Sequence, residues 1–248
     1  MYPDVERVAT SLCREGSIPF HRMVEADVLE LPSEGDIRNA GVIQELVALV
    51  GPNSCDLVTA DGGIDHEDLD TVEQSSLTLL IGQVVAALRL TKAGGSCVIK
   101  LFEGSTQPTR DVVSVVRKAF SNIHLYKPRT SKAANSERYL IANGLLDVDR
   151  AATLADQLAV CMTIPHPLTL VDTPDTQVAA AFDALAAKQT REIHLLINAT
   201  RQDPHARREV EQLLERDLRW VQENVSCLCG AMRRVRTFAD NPTARQEC

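Results

Sequence analysis

The sequence contains no apolar run approaching the ~20 residues that a membrane-spanning helix requires, and no leader of the secretory kind. No membrane partner is expected. It also lacks low-complexity tracts and internal repeats, and its apolar and charged residues are interspersed throughout, which excludes a disordered chain or a solenoid. Positive charge is in short supply: 26 Lys and Arg stand against 34 Asp and Glu, a formal charge of −8. Coating nucleic acid by bulk electrostatics is therefore excluded, because phosphate binding rests on clustered cations. Lysine is absent before Lys92, yet five of the six lysines (Lys92, Lys100, Lys118, Lys127, Lys132) fall between 92 and 132, together with Arg110, Arg117 and Arg129. The segment 56–70 is acidic by contrast, so the middle of the chain is electrically polarised.

The seven cysteines show no framework spacing and sit mostly in apolar runs such as Ser96-Cys97-Val98. That pattern suits reduced thiols in an intracellular compartment, nucleus or cytoplasm, of cellular or viral origin. Cys227-x-Cys229 has no second Cys/His pair at zinc-finger spacing, so no metal site is expected.

A chain of 248 residues can bury one substantial core with a helical appendage. Residues 1–33 form a leader of uncertain structure. From 34 to 150, apolar runs of strand length alternate with segments of helical period, the pattern of an α/β sheet. Val42, Ile43, Leu46, Val47 and Val50 mark one helical face, and Cys55 to Ala60 reads as a buried strand closed by Asp61-Gly62-Gly63. A long helix is expected next, with Leu69, Val72, Leu77, Leu80, Val84, Ala87 and Leu88 inward and Gly94-Gly95 as its stop. Ser96–Phe102 is the following strand. A helix from Pro108-Thr109 then leads to the strand Ile123–Tyr126, and Glu137–Ala142 pairs antiparallel with it across a short connection. Residues 151–248 read as a helical extension without clustered ligands, and Val210, Leu214, Leu218, Val221, Val225 and Leu228 line one stripe of a helix begun after Pro204.

Three segments carry chemistry. They are Asp56-Leu57-Val58-Thr59-Ala60-Asp61-Gly62-Gly63, Gly94-Gly95-Ser96-Cys97-Val98-Ile99-Lys100-Leu101-Phe102, and Lys127-Pro128-Arg129-Thr130-Ser131-Lys132-Ala133-Ala134-Asn135-Ser136-Glu137-Arg138-Tyr139. A lysine amid Val98, Ile99, Leu101 and Phe102 is unusual in a central strand, and ligands of open α/β sheets bind at the strands' carboxyl edge, where Asp61 falls. In order and spacing the three segments resemble the FtsJ-like RNA ribose 2′-O-methyltransferases, and the Asn-Ser-Glu-Arg-Tyr core is especially similar to the members that act on capped messenger RNA.

The resemblance, over roughly 34–145, implies a Rossmann-like methyltransferase sheet, incomplete at its amino-terminal side, with the C-terminal helical extension. It implies S-adenosylmethionine as cofactor and RNA, specifically the capped mRNA 5′ end, as partner. It assigns Asp61, Lys100 and Glu137 to three places of a Lys-Asp-Lys-Glu tetrad. Such a site suits a ribose hydroxyl, a poor nucleophile that needs a base close by. Lys100 would be that base, with Asp61 and Glu137 orienting it. Asp36 and Ile37, in a Gly-Asp-Ile segment, and Asp61 are the expected cofactor-binding residues; Arg129, Lys132, Asn135 and Ser136 are the expected RNA-binding ones.

The family's glycine-rich donor loop and first tetrad lysine have no counterpart before Asp36, where Met1 to Leu31 holds only Gly16. The expectation is a fragment or subunit of the full enzyme, completed by an upstream polypeptide or a protein partner, that binds the donor weakly by itself. The alternative is a catalytically inactive methyltransferase-like subunit that positions RNA.

Overall fold

The computed structural model describes residues 8–10, 27–28, 31, 35–63, 72–128, 131, 135–163, 173–201, 203–216 and 219. Two compact units divide the chain, one formed by Arg7–Gln189 and the other by Met1–Glu6 with Thr190–Cys248.

In the larger unit, β1 (Val8–Ala9) and β2 (Asp27–Val28) make a short parallel pair, separate from the main sheet. The main sheet holds β3 (Cys55–Ala60), β4 (Thr91–Leu101), β5 (Phe120–Tyr126) and β6 (Arg138–Leu145) in the order β3-β4-β6-β5. β3 runs parallel to β4, while β6 is antiparallel to both its neighbours. This is the expected α/β class, with the terminal antiparallel pair in place. Between the strands lie α1 (Ala40–Val50), the single turn α2 (Val72–Ser75), α3 (Leu77–Leu90) and α4 (Gln107–Ala119). α5 (Val148–Cys161) and the first half of α6 (Thr176–Thr200) complete the unit.

Local chemistry sets these bounds. Asn39 caps α1 by accepting from the Gly41 amide at 2.9 Å, and Asp147 caps α5 by accepting from the Arg150 amide at 2.9 Å. The expected single helix through Leu88 breaks at Ser76 and stops at Leu90, short of Gly94-Gly95; Leu69 lies outside the described residues. The chain passes directly from Leu90 into β4, because the Thr91 amide still bonds the Ala87 carbonyl while Thr91 itself is extended. The two glycines serve a turn within that segment, Gly94 at φ +75°.

Along β4 the side chains alternate with the two-residue period of a strand. Cys97, Ile99 and Leu101 are buried, whereas Ser96, Val98 and Lys100 are half-buried. The buried face meets Leu140 and Ala142 of β6, Val84, Val85 and Leu88 of α3, and Val112, Val113 and Val116 of α4 in one core. Ala151, Ala155 and Leu158 of α5 and Val178 and Phe182 of α6 join the same core. The change of character near 150 is thus a change from strands to helices inside one unit.

In the smaller unit, Arg191 of α6 pairs with Glu209 at 3.3 Å, on a helix spanning 204–216. Of the expected stripe only Val210 and Leu214 fall among the described residues, and Leu214 is exposed. Leu218, Val221, Val225 and Leu228 lie outside them.

The loop after β4 has its own constraint. Gly104 adopts φ +79°, and a Cβ there would enter the Phe182 ring. Gly104→Ala combines left-handed backbone strain with overpacking, each costing about 1–3 kcal/mol. Urea titration is expected to show a loss of about 2–4 kcal/mol, partly recovered when Phe182 is shortened to Leu.

Candidate active site

Asp61 follows β3 directly, at the carboxyl edge of the parallel pair β3–β4. Lys100 is the penultimate residue of β4, on the less buried face of the sheet, which explains a lysine inside so apolar a strand. Its Nζ lies 3.1 Å from Asp61 Oδ1. The two partners are unequally exposed, the lysine side chain at 13% and the aspartate at 70%, so the carboxylate faces outward and the cation sits beneath it. Gly63 keeps the approach open, since a Cβ at that position would stand 3.4 Å from Lys100 Nζ.

Glu137 reaches this pair through Tyr139. In the β4–β6 ladder Lys100 is the direct partner of Tyr139, and opposed residues of an antiparallel pair project from the same face. The Tyr139 hydroxyl donates to Asp61 Oδ1 at 3.0 Å and stands 3.4 Å from Glu137 Oε1. Burial first, then the hydrogen bond to Asp61 and the charges of Asp61 and Glu137, push the Tyr139 phenol up from its ordinary value. It stays protonated and remains a donor. The structure therefore brings Asp61, Lys100 and Glu137 together, with Tyr139 between the carboxylates.

Two further groups hold this arrangement. Gln83, buried in α3, accepts from the Gly62 amide at 2.8 Å and donates to the Lys100 carbonyl at 3.3 Å, tying the Asp61 loop to β4. Glu73, buried in α2, accepts from the Ser105 amide and hydroxyl at 3.0 and 2.6 Å and from those of Thr106 at 3.0 and 2.6 Å. Burial alone would raise its carboxyl, but hydrogen bonds from Ser105, Thr106 and Thr109 outweigh it and hold the group below its ordinary value. A small cleft lined by Gly62, Glu73, Gln83, Lys100, Phe102 and Thr109 lies beside the lysine.

Gln83, Glu73 and Tyr139 were not among the residues singled out by sequence. Tyr139 stood in the quoted motif, and Gln83 was the one polar interruption of Leu79-Leu80-Ile81-Gly82-Gln83-Val84-Val85, a signal that could have found it.

The residues assigned to the cofactor are placed differently. Both Asp36 oxygens accept from Arg38, from its Nε at 2.9 and 3.0 Å, its Nη2 at 2.5 Å and its amide at 3.0 Å. Donation to Asp36, with that residue's charge, raises the Arg38 guanidinium above its ordinary value. The Ile37 carbonyl packs against α3 at Gly82, where a Cβ would overlap it. In this geometry the Asp36 carboxylate is turned onto Arg38. Asn135 is exposed and Ser136 half-buried, next to Glu137, whereas Arg129 and Lys132 lie outside the described residues.

Among the described residues no group of three or more His, Cys, Asp or Glu could hold a metal ion, and Cys55, Cys97 and Cys161 are free thiols, Cys97 pushed up to about 12 by burial. No described helix is long and apolar enough to cross a membrane.

The family model for FtsJ-like methyltransferases matches residues 10–145. A protein of Leishmania braziliensis named cap-specific mRNA (nucleoside-2′-O-)-methyltransferase 1 is 39% identical over 113 residues, covering 45% of this chain and 28% of that protein. A cap-specific mRNA (nucleoside-2′-O-)-methyltransferase of Autographa californica nuclear polyhedrosis virus is 35% identical over 108 residues, 43% of this chain and 41% of the viral one. Ribosomal RNA large subunit methyltransferase E of Pseudomonas fluorescens is 29% identical over 131 residues, 50% of this chain and 62% of that protein. The chain thus spans between 28% and 62% of the length of these relatives.

Glu73→Gln tests the carboxylate brace, because an amide would turn its NH2 toward donors. A loss of about 2 kcal/mol is expected by urea denaturation at pH 7. The folded carboxyl lies below its unfolded value, so its stabilisation is present above about pH 4.3 and disappears as pH falls through the folded value. The gap between the two proteins should close in acid; a gap constant down to low pH would refute the charged brace.

Proposed function

The chain belongs to the FtsJ-like methyltransferase family, and we propose that it serves methylation of the ribose 2′-hydroxyl of capped RNA, as a fragment or subunit of the full enzyme. The observation that carries this reading is the Lys100–Asp61 pair at 3.1 Å with Tyr139 joining Asp61 to Glu137. The cap preference rests on relatives of Leishmania and baculovirus that bear cap-specific names, and on the Asn135-Ser136-Glu137-Arg138-Tyr139 segment. S-adenosylmethionine, carried by family membership alone, is the methyl donor in this reading, and it supplies an electrophilic methyl group.

The chain's own residues act on the acceptor oxygen. A ribose hydroxyl cannot be alkylated while it keeps its proton, so a group within hydrogen-bond reach must take it. In this reading Lys100 takes that proton as the neutral amine, its own proton having first passed to solvent; its Nζ, mostly buried beside Asp61, supports the role. Asp61 fixes the amine's direction, and Tyr139 and Glu137 fix Asp61 in turn. Holding the oxygen and the lysine in one geometry supplies much of the acceleration in a site of this kind.

Transfer of labelled methyl from S-adenosylmethionine to capped and uncapped RNA, by the full-length polypeptide carrying this chain, is the test. Capped RNA is expected to be the better acceptor, with label on the ribose. Lys100→Ala should lower turnover by about 10²–10⁴-fold with an unchanged unfolding midpoint, and Tyr139→Phe by about tenfold, the worth of one hydrogen bond. Full activity of Lys100→Ala would sink the assignment of the base, and label on a nucleobase would sink the reaction.

A further inference from the structure

α6 lies outside the span that matches the family model, yet it enters the frame of the site. Gln189, on α6, is 8% exposed and uses both ends of its amide. Its Oε1 accepts from Arg138 Nη2 at 2.8 Å, and its Nε2 donates to the Asn135 carbonyl at 3.0 Å. Arg138 is 3% exposed, and its Nη1 donates to the Glu103 carbonyl in the loop that follows β4. Burial pulls its guanidinium down, opposed by the charges of Glu103 and Glu73, so the Gln189 oxygen is a needed acceptor for a cation withdrawn from water.

The Asn135 carbonyl is met from a second side by Lys127 Nζ at 2.6 Å, and Lys127 also donates to the Glu137 carbonyl at 3.1 Å and to Ser131 Oγ at 3.2 Å. Asn135 Oδ1 in turn accepts from the Glu137 amide at 2.8 Å. The backbone from 135 to 138 is thereby clamped between β5's exit and α6, with Glu137 in the middle. About two helical turns earlier, Phe182 packs on Gly104, and Arg110 donates to the Gly104 carbonyl at 2.8 Å and to Asp183 at 2.8 Å. The same helix therefore braces both loops that flank Lys100.

We propose that Gln189 is a positioning residue for RNA: by holding the Asn135 carbonyl and the Arg138 guanidinium together, it sets the direction of the Asn135–Glu137 segment against the acceptor strand. The proposal rests on the ribose-methylation reading. It deepens that reading by making a residue outside the matched span part of RNA recognition. Replacing Gln189 leaves Lys100, Asp61 and Tyr139 untouched, so the loss should fall on RNA affinity and leave the donor's affinity alone.

Gln189→Leu and Gln189→Glu separate the two bonds. Leucine removes both; glutamate still accepts from Arg138 but cannot donate to the Asn135 carbonyl. In the methyl-transfer assay with capped RNA, the leucine variant is expected to raise the KM for RNA about tenfold, the worth of roughly one net hydrogen bond, with kcat within about twofold and the KM for S-adenosylmethionine unchanged. The glutamate variant should fall between leucine and wild type. A general loosening of the fold would move both KM values together, and that result, or an unchanged RNA KM in the leucine variant, would overturn the proposal. Should the wild-type protein transfer no methyl group, the reading of function fails by itself. Amide exchange at Ser136 and Glu137 then decides the positioning role: faster exchange in Gln189→Leu with glutamate intermediate supports it, and equal rates in all three proteins overturn it.

Discussion

Everything at the site depends on the register of β4 against β6. A strand places successive side chains on opposite faces, so a slip of one residue would send Lys100 into the core and Ile99 to the surface. The register is favoured from the buried side, where Cys97, Ile99 and Leu101 share one core with Leu140 and Ala142. It is favoured again at the strand's end, where Leu101 faces Arg138 and the guanidinium is held by the Glu103 carbonyl and Gln189. Lys100 then stands opposite Tyr139 as a consequence of hydrophobic packing on the far face. The Asp61–Tyr139–Glu137 chain of contacts is in this sense a product of the core.

Two buried polar side chains convert that register into a defined lysine environment. Gln83 bonds the loop bearing Asp61 and the Lys100 carbonyl at the same time, so the two cannot drift apart without stranding an amide inside the protein. Glu73 does the same for the loop beyond β4, with four donors on one carboxylate. An unpaired buried polar group costs roughly 1–3 kcal/mol, more than most single contacts contribute, and this penalty makes such braces rigid.

The elements of the sheet were legible from the length of the apolar runs: the strand Cys55–Ala60 was read to its bounds but not in its burial, since β3 edges the described sheet and Leu57 is exposed, and the antiparallel pair followed from a connection too short for a crossover. Lys100 was legible as a charge in an apolar strand. Helix ends were less so, since Gly94-Gly95 signals a turn without saying whether a strand intervenes, and α3 stops at Leu90 because the chain straightens there. Gln189 carried no such signal as Gln83, because a glutamine in a mixed helix ordinarily faces water, and only three-dimensional packing shows that its partner is a backbone carbonyl far along the chain. The Arg38–Asp36 pair was not foreseen, although the two residues stand only two apart.

Charge counted along the sequence also changes meaning in the fold. Of the cations clustered between 92 and 132, Lys92 pairs with Asp56, Lys100 with Asp61, Arg110 with Asp183 and Arg117 with Asp175. Lys127 spends its donors on the Asn135 and Glu137 carbonyls and Ser131. These residues staple loops and helices to the sheet, and a cation already paired releases few counterions when a phosphate approaches. The site edge itself carries two carboxylates to one lysine, which repels phosphate and favours a neutral hydroxyl as the nearest group. On the ribose-methylation reading proposed above, such an acceptor would be selected by the sugar's hydrogen bonding and by the shape of the 135–138 segment, with backbone phosphates farther from the lysine. On the same reading, a phosphate drawn onto Lys100 would occupy the amine that the proposed chemistry needs.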